Sequence, residues 1–382
     1  MLLQIVALVS AVALYYILPE AYIHTGIKEY TTKSTTKQIV PEMKWIELKT
    51  SNSILPRSSH GVSIVHLEGR NMLVVYGGEN VARTPLDSKI NTLNIDENRE
   101  ELSWVEAKPS SGENIPEPRV AHAQASIGTK VYIFGGRQSI TMDEAPLNDL
   151  YSFDLATKIW ENISVPSSGS VPSPRSFHKM VSVGKKLYIF GGCGAGGRMA
   201  DLHSYDVETK SWTALSTGNI EIPGRGGAGF MPSADGKYLF IVGGFAGKEM
   251  NDVYRYDIEA QTMSKIYEQD DDQETNPLRP FSVSCGGVLH GLIHYFGGEV
   301  NPSQKGHEGA GGFSNEVQVL DGSTGKMDGK AVAISGQAPR DRGWTDAAVL
   351  RERGEDKLVV FGGLSGDDSN PMRLNDVWVL EK

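Results

Sequence analysis

The chain has 382 residues, of which 39% are hydrophobic and 22% are charged, and it contains 43 glycines and 18 prolines. Its 37 basic and 47 acidic residues give a formal net charge of −10. No long run of lysine and arginine occurs, which argues against a nucleic-acid partner. The two cysteines, Cys193 and Cys285, are too few for a disulfide-stapled secreted module or a cysteine-rich zinc site.

The N-terminus is apolar and carries no charged side chain over residues 2–18. As a helix this run would rise about 26 Å, the short limit for crossing a bilayer. We therefore predict a membrane anchor over residues 1–19 and a polar tether over residues 20–43. A signal peptide and a mis-assigned start codon are the alternatives, and a signal peptide would require a basic region that is missing here.

The position of the basic residues bears on localisation. The nearest ones, Lys28, Lys33 and Lys37, all follow the apolar run. The positive-inside rule then favours a single-pass membrane protein with the rest of the chain in the cytoplasm. A cleaved signal peptide would instead place the chain in the secretory pathway.

A hydrophobic segment that ends in two glycines recurs six times. The pairs are Gly77-Gly78, Gly135-Gly136, Gly191-Gly192, Gly243-Gly244, Gly297-Gly298 and Gly362-Gly363. The intervals between first glycines are 58, 56, 52, 54 and 65 residues. A nearly constant period of this length indicates a repeated structural unit.

Each unit carries further marks in a fixed order. An arginine precedes the glycine pair, an acidic and aromatic segment follows it, and in several units a final segment starts at tryptophan. Four short strand-like segments, with glycines where the chain turns tightly, are typical of a propeller blade. We predict an all-β fold, a six-bladed propeller over residues 44–382. The arginines are Arg57, Arg119, Arg175, Arg225, Arg279 and Arg342.

The ends of the chain predict how the ring closes. The last unit stops at Leu380 without its tryptophan-led strand, and Trp45 stands alone before the first unit. Trp45 precedes Trp104 by 59 residues, and Trp104 precedes Trp160 by 56, so Trp45 is in phase with the repeat. The strand around Trp45 should complete the sixth blade and remove its exposed edge.

The repeat closely resembles the kelch repeat, and one block resembles a narrower group. Residues 296–307, 312–316 and 339–345 are similar to the specifier proteins of plant glucosinolate breakdown, that is, the epithiospecifier, nitrile-specifier and thiocyanate-forming proteins. Further matches lie in the other units, and the resemblance spans all six blades. It therefore covers nearly the whole predicted propeller.

The resemblance implies an Fe(II)-dependent activity that diverts an unstable aglycone, made by a thioglucosidase, toward nitriles, epithionitriles or thiocyanates. The iron ligands of that family match Glu299 and His307, while Ser303 stands at the aspartate position. Loss of this oxygen ligand should weaken an iron site unless Glu308, Asn301 or Asp341 takes its place. The sulfate-docking arginines of the family resemble Arg137 and Arg175, and a guanidinium group suits a sulfate.

The arginine series itself predicts an anion site. First strands of propeller blades line the central channel, so these arginines should gather at one entrance, where a bound anion would offset their charge. Structural pairing with loop carboxylates is the alternative. The candidate anion-binding residues are Arg57, Arg119, Arg137, Arg175, Arg225, Arg342 and Trp344.

Two functions remain open at this point. The first is a specifier-like protein that binds a small anionic, glucosinolate-aglycone-like substrate at the channel mouth and uses Fe(II). The second is a membrane-tethered kelch module that holds a protein partner through its loops without catalysis. The arginine series and the fifth-unit block favour the first function, whereas Ser303 and the apolar N-terminus favour the second.

Overall fold

The computed structural model describes residues 42–96, 101–138, 145–164, 168–267, 278–305, 309–323, 334–352 and 354–382. All regular secondary structure in these residues is β-strand, which confirms the predicted all-β class. The predicted anchor and tether lie outside the described residues, apart from the last two tether positions. Within the described ranges, no helix is long and apolar enough to span a membrane.

The first half of the chain contains β1, which belongs to blade 6, and then the strands of blades 1 to 3 in chain order. They are β1 Met43–Leu48, β2 Thr50–Ser51, β3 Gly61–Leu67, β4 Arg70–Tyr76, β5 Glu79–Val81, β6 Thr84–Pro85, β7 Ile90–Asn94, β8 Leu102–Glu106, β9 Ala123–Ile127, β10 Lys130–Gly136, β11 Leu147–Asp154, β12 Ile159–Asn162, β13 Ser168–Gly169, β14 Lys179–Val183, β15 Lys186–Gly194, β16 Gly197–Asp206 and β17 Ser211–Leu215. Blade 1 has the order β2-β8-β7-β4-β3, blade 2 β12-β11-β10-β9 and blade 3 β13-β17-β16-β15-β14.

The second half of the chain repeats this arrangement. Its strands are β18 Gly229–Pro232, β19 Tyr238–Phe245, β20 Glu249–Asp257, β21 Thr262–Tyr267, β22 Cys285–Leu289, β23 Leu292–Phe296, β24 Glu299–Asn301, β25 Gly312–Phe313, β26 Val317–Asp321, β27 Ile334–Ser335, β28 Asp346–Glu352, β29 Glu355–Asp367 and β30 Asn370–Glu381. Blade 4 is β18-β19-β20-β21, blade 5 is β22-β23-β26, and blade 6 is β27-β1-β30-β29-β28. Six blades in chain order confirm the predicted propeller.

The ring closes as predicted. Strand β1 pairs antiparallel with β30, and Trp45 lies opposite Leu380. Trp45 is 5% exposed, and its ring centroid lies 4.8 Å from that of Phe296 in blade 5. The first described strand and the last strand of the chain therefore share one sheet, and its outer edge is covered.

Tryptophans at the outer-strand position join neighbouring blades. Trp104 packs 5.3 Å from Phe361 of blade 6, Trp160 packs 5.7 Å from Tyr76 of blade 1, and Trp212 packs 5.3 Å from Phe134 of blade 2. Each tryptophan thus contacts the preceding blade. Burial of such large rings, with tilted or edge contacts between them, is a main source of stability between sheets.

The repeated glycine pair has a steric cause. Gly135 and Gly136 have φ angles of 63° and 97°, a region that side chains with a Cβ rarely adopt. A Cβ on Gly136 would lie 2.7 Å from the carbonyl oxygen of Val120. The pair therefore lets two chain segments approach within backbone contact.

The inner strands β3, β9, β14, β18, β22 and β28 surround a channel cavity of about 210 Å³. Lys179 Nζ in blade 3 and Asp346 Oδ1 in blade 6 are 2.7 Å apart. Blades 3 and 6 face each other in a ring of six, so this ion pair spans the channel. An ion pair between opposite blades therefore lies inside the channel.

The structure places five predicted anion-binding arginines inside the blades and not at the channel entrance. Their side chains are at most 1% exposed, and each donates from Nη1 to the first glycine carbonyl of its own blade at 2.9–3.0 Å. Four of them also form paired hydrogen bonds with an aspartate of the same blade. These pairs are Arg119–Asp149, Arg175–Asp201, Arg225–Asp252 and Arg342–Asp376.

Blade 5 has no arginine at the position that the other blades share. The prediction that Arg279 occupies this position is wrong. The Gly244 N–H donates to the Phe281 carbonyl, as the Gly192 N–H donates to the carbonyl of Arg225. Phe281 therefore occupies the arginine position and stacks on Tyr295 with ring centroids 4.4 Å apart. Arg279 lies two residues earlier, half exposed.

A single-residue change tests the structural role of the buried pairs. In Asp252→Asn, the Arg225 guanidinium loses its buried counter-charge, since Asp252 is 2% exposed, and we expect a loss of about 3–5 kcal/mol in the free energy of unfolding. The matched variant Glu316→Gln removes the carboxylate of an exposed pair with Arg279 and should cost less than about 1 kcal/mol. Urea unfolding measures both, and equal losses would contradict the assignment.

Candidate functional site

A ring of backbone hydrogen bonds surrounds the channel just below its mouth. Two residues after each arginine position, one residue per blade has a φ angle between 49° and 61°. The N–H of each donates to the carbonyl of its counterpart in the preceding blade at 2.8–2.9 Å, and Ser59 closes the circle by donating to Trp344. The six residues, called the mouth ring below, are Ser59, Ala121, Phe177, Gly227, Val283 and Trp344.

The wall above this ring comes from the residue that follows each glycine pair. Each of these residues forms a β-bridge with the residue that follows the arginine position of its own blade. The repeat frame makes the set identifiable in the sequence, although only two members were predicted as site residues. The six residues, called the mouth wall, are Glu79, Arg137, Cys193, Phe245, Glu299 and Leu364.

A cavity of about 190 Å³ lies at the mouth, between residues of blades 3 to 6. Its apolar lining includes Phe177 and Trp344 of the mouth ring, whose ring centroids are 5.4 Å apart at 75°. Its polar lining includes Arg198, Glu299 and Ser303. This cavity, called the mouth pocket, joins aromatic surface to groups of both charges, a combination typical of small-ligand sites.

Arg198 is a charged residue of the pocket that the sequence analysis missed, as it also missed Phe177 and Val283. It is exposed, pairs across the β15–β16 hairpin with Cys193, and its Cζ lies 4.5 Å over the ring of Phe245. The aromatic face orients the cation without using its N–H donors. An accessible guanidinium group is therefore available to an anionic ligand.

The two arginines implied to dock sulfate occupy different environments. Arg137 belongs to the mouth wall, is 8% exposed, and donates from Nε to Ser176 Oγ at 2.9 Å. Arg175 is buried and pairs with Asp201. Burial alone would raise the pKa of Asp201, but hydrogen bonds from His203 and Arg175 lower it well below its usual range. Arg137 and Trp344 are thus the predicted anion-binding residues that the structure places at the mouth.

The predicted iron ligands are only partly described. Glu299 is 6% exposed and lines the mouth pocket, whereas His307 lies outside the described residues. Ser303, at the aspartate position, donates from Oγ to Asp368 Oδ1 at 2.6 Å. In the described part of the chain, no three His, Cys, Asp or Glu side chains come together to hold a metal. The described residues alone therefore do not make up an iron site.

Three histidines, His60, His122 and His178, recur at the same position of blades 1 to 3, and their contacts serve packing. His60 Nε2 lies 3.0 Å from the Phe361 carbonyl, and His122 packs edge-on against Tyr76. Burial, aided by Arg57, lowers the pKa of His60 to about 3, and burial also holds the pKa of His122 and His178 well below the usual value. These imidazoles are neutral packing groups at neutral pH.

The pocket carboxyl makes a prediction about pH. Burial raises the pKa of Glu299 from 4.5 to about 7, helped by the charge of Glu249. Between these values the folded state binds the proton more tightly, so the contribution of Glu299 to the free energy of unfolding falls as pH rises from about 4.5 to 7 and levels off above. Glu299→Gln should remove up to about 3 kcal/mol of this dependence. Urea unfolding at pH 5 and pH 8 in metal-free buffer measures the free energy of unfolding of the unaltered protein and of Glu299→Gln. An equal difference between the two pH values in both proteins would contradict the prediction.

Known proteins resemble this chain over most of its length. The chain is 27% identical over 344 residues to N-(sulfonatooxy)prop-2-enimidothioate sulfolyase of Thlaspi arvense, which covers 83% of this chain and 91% of the relative. It is 26% identical over 286 residues to Host cell factor of Drosophila melanogaster, covering 73% of this chain but 18% of that protein. The predicted resemblance to specifier-type proteins is thereby confirmed.

Structural and family comparisons agree on the architecture. The solved structure of YjhT superposes with a TM-score of 0.62 at 16% identity, covering 85% of this chain and 95% of that chain, which shows a shared fold. The KLHDC2/KLHL20/DRC7 Kelch-repeats domain model matches residues 20–166 and 61–298. With six blades of the predicted repeat in place, the chain belongs to the kelch-repeat domain family.

Proposed function

We propose that the mouth pocket binds a small organic sulfate and directs its breakdown with release of sulfate, as a specifier-like lyase. The observation that carries this proposal is the combination of the exposed Arg198 guanidinium with the aromatic pair Phe177 and Trp344 in one cavity of about 190 Å³. The name of the Thlaspi relative describes a substrate of this class, with a sulfate group on the nitrogen of an imidothioate.

Each part of such a substrate has a suitable partner. A guanidinium group binds two sulfate oxygens at once, and Arg198 is exposed enough to do so. The short apolar chain of the substrate would lie against Phe177, Val283 and Trp344, which displace water from the reacting end. Pocket size then limits the substrate to a small side chain.

The chemistry requires little from the protein besides placement and charge. When sulfate leaves with the electron pair of the N–O bond, the C–S bond breaks, its electron pair becomes the third C–N bond of the nitrile, and the thiolate sulfur departs as zero-valent sulfur. A fixed cation favours the charge that builds up on the departing sulfate. Arg198 supplies the cation at the pocket. Burial raises the pKa of Glu299 to about 7 in the metal-free protein, so this carboxyl can hold or release a proton beside the ligand only when it does not hold Fe(II).

An enzyme assay tests the function. The purified protein, incubated with a thioglucosidase, a glucosinolate and Fe(II), should shift the products from isothiocyanate to nitrile, measured by gas chromatography. Arg198→Ala should reduce the nitrile fraction at least tenfold, because the sulfate loses its charge partner. Arg279→Ala, an exposed arginine outside the pocket, is the control and should change nothing. No nitrile from the unaltered protein would contradict the proposal.

The iron dependence implied by the specifier resemblance needs its own test. If Glu299 and His307 hold Fe(II), the ion should raise the thermal midpoint under anaerobic conditions, because a ligand that binds only the folded state stabilises it. Glu299→Ala combined with His307→Ala should abolish that rise. An unchanged midpoint of the unaltered protein with Fe(II) would remove iron from the proposed mechanism.

A membrane-tethered interaction module is the second candidate, and a surface feature favours it. Leu55 and Val81, 58% and 64% exposed, lie on adjoining segments of blade 1, where Asn80 Nδ2 donates to the Pro56 carbonyl at 2.8 Å. Exposed apolar side chains that lie next to each other suit a protein partner. In this candidate the anchor at residues 1–19 holds the propeller at the cytoplasmic membrane face. Failure of the nitrile assay would favour this function.

A further inference from the structure

Arg373 is a buried arginine at the blade 6 side of the mouth. It lies in β30 opposite Leu364 of the mouth wall, and its side chain is 8% exposed. Among the described residues, its Nε and Nη2 have no hydrogen-bond partner. The nearest carboxylate oxygen with which it pairs, Glu79 Oε1, is 3.8 Å from Nη2, which is too far for a hydrogen bond.

The two unpartnered atoms form one edge of the guanidinium plane. Nε–H and a hydrogen of Nη2 point the same way, and this edge can donate two parallel hydrogen bonds to two oxygens of a carboxylate or sulfate. A buried donor without a partner costs free energy, and more so when it is charged. Burial lowers the pKa of Arg373, and the charge of Glu79 offsets this only in part. The Nε and Nη2 donors of Arg373 would therefore be stabilised by an oxyanion that accepts a hydrogen bond from each.

Glu79 does not satisfy these two donors, because hydrogen bonds from other groups hold its carboxylate 3.8 Å from Nη2. Oε1 accepts the hydroxyls of Ser58 and Ser59 at 3.3 and 3.4 Å, and Oε2 accepts the N–H of Arg83 at 2.5 Å. Burial raises the pKa of Glu79, and the charge of Arg373 lowers it in part.

Arg373 also stands in a position equivalent to that of Arg198. Arg198 pairs with the mouth-wall residue Cys193 in blade 3, and Arg373 pairs with the mouth-wall residue Leu364 in blade 6. These two blades face each other across the channel. The repeat thus places one arginine on each side of the mouth, one exposed in the mouth pocket and one buried beside Glu79.

We propose that the Nε/Nη2 edge of Arg373 is a second oxyanion subsite at the mouth, which takes the two oxygens of a carboxylate or sulfate group. The subsite rests on the proposed function only in placing an anionic ligand at the mouth. It needs neither iron nor bond cleavage, and it gives a ligand with two anionic ends a partner for each end.

Methyl sulfate binding tests the subsite in the full chain. Because Arg198 also binds sulfate in the proposed function, the measurement uses an Arg198→Ala background. Thermal midpoints are recorded while methyl sulfate replaces chloride at constant ionic strength. We expect a rise that is lost, with at least tenfold weaker apparent binding, when Arg373→Gln is added. Glu79→Gln should strengthen binding, because it removes a competing negative charge.

The matched control is Arg340→Gln, an exposed arginine of the same blade whose Nη1 lies 3.3 Å from Met372 Sδ. It should leave the rise unchanged. If Arg373→Gln does not fold, Arg373→Lys keeps the charge without the two-donor edge and should show weaker binding. An equal rise with and without Arg373→Gln, or no rise in the Arg198→Ala background, would overturn the subsite. A failed nitrile assay with this binding intact would reject the proposed function alone.

Discussion

One backbone hydrogen bond per blade, repeated around the mouth ring, holds the top of the propeller together. The six N–H groups and six carbonyls close on themselves, so each blade is fixed by both neighbours. The geometry requires a left-handed backbone at every member, which is unfavourable for Val283 and Trp344. The closed ring, the tryptophan contacts and the buried arginines together hold that strained conformation.

The same turn directs side chains to the mouth. Because the chain reverses at a positive φ angle, ring residues line the mouth while the preceding arginine enters the blade. Phe177 and Trp344 then meet across the opening, and Arg225 and its equivalents cannot reach it. The arginine position and the mouth ring therefore lie two residues apart in the repeat, and four arginines pair with carboxylates, which was the alternative in the sequence analysis.

The blades differ from one another chiefly at the mouth wall. The arginine position is nearly constant and serves the fold, whereas the mouth wall changes from glutamate to arginine, cysteine, phenylalanine and leucine. One side of the mouth therefore carries the aromatic mouth pocket, and the other side carries Glu79, Arg137 and Arg373. The mouth is therefore asymmetric on a symmetric scaffold, as expected when a site is built on a repeat fold.

The sequence by itself determined the number of blades, the closure by the strand at Trp45, and the family resemblance. Each depends on local patterns that recur at a fixed interval and need no knowledge of side-chain direction. Only the tertiary structure showed that Phe281, and not Arg279, occupies the arginine position of blade 5. It alone also showed that Arg198 lines the mouth pocket and that Ser303 donates a hydrogen bond to Asp368. These facts depend on turn conformation and on contacts between blades, which join residues far apart in the chain.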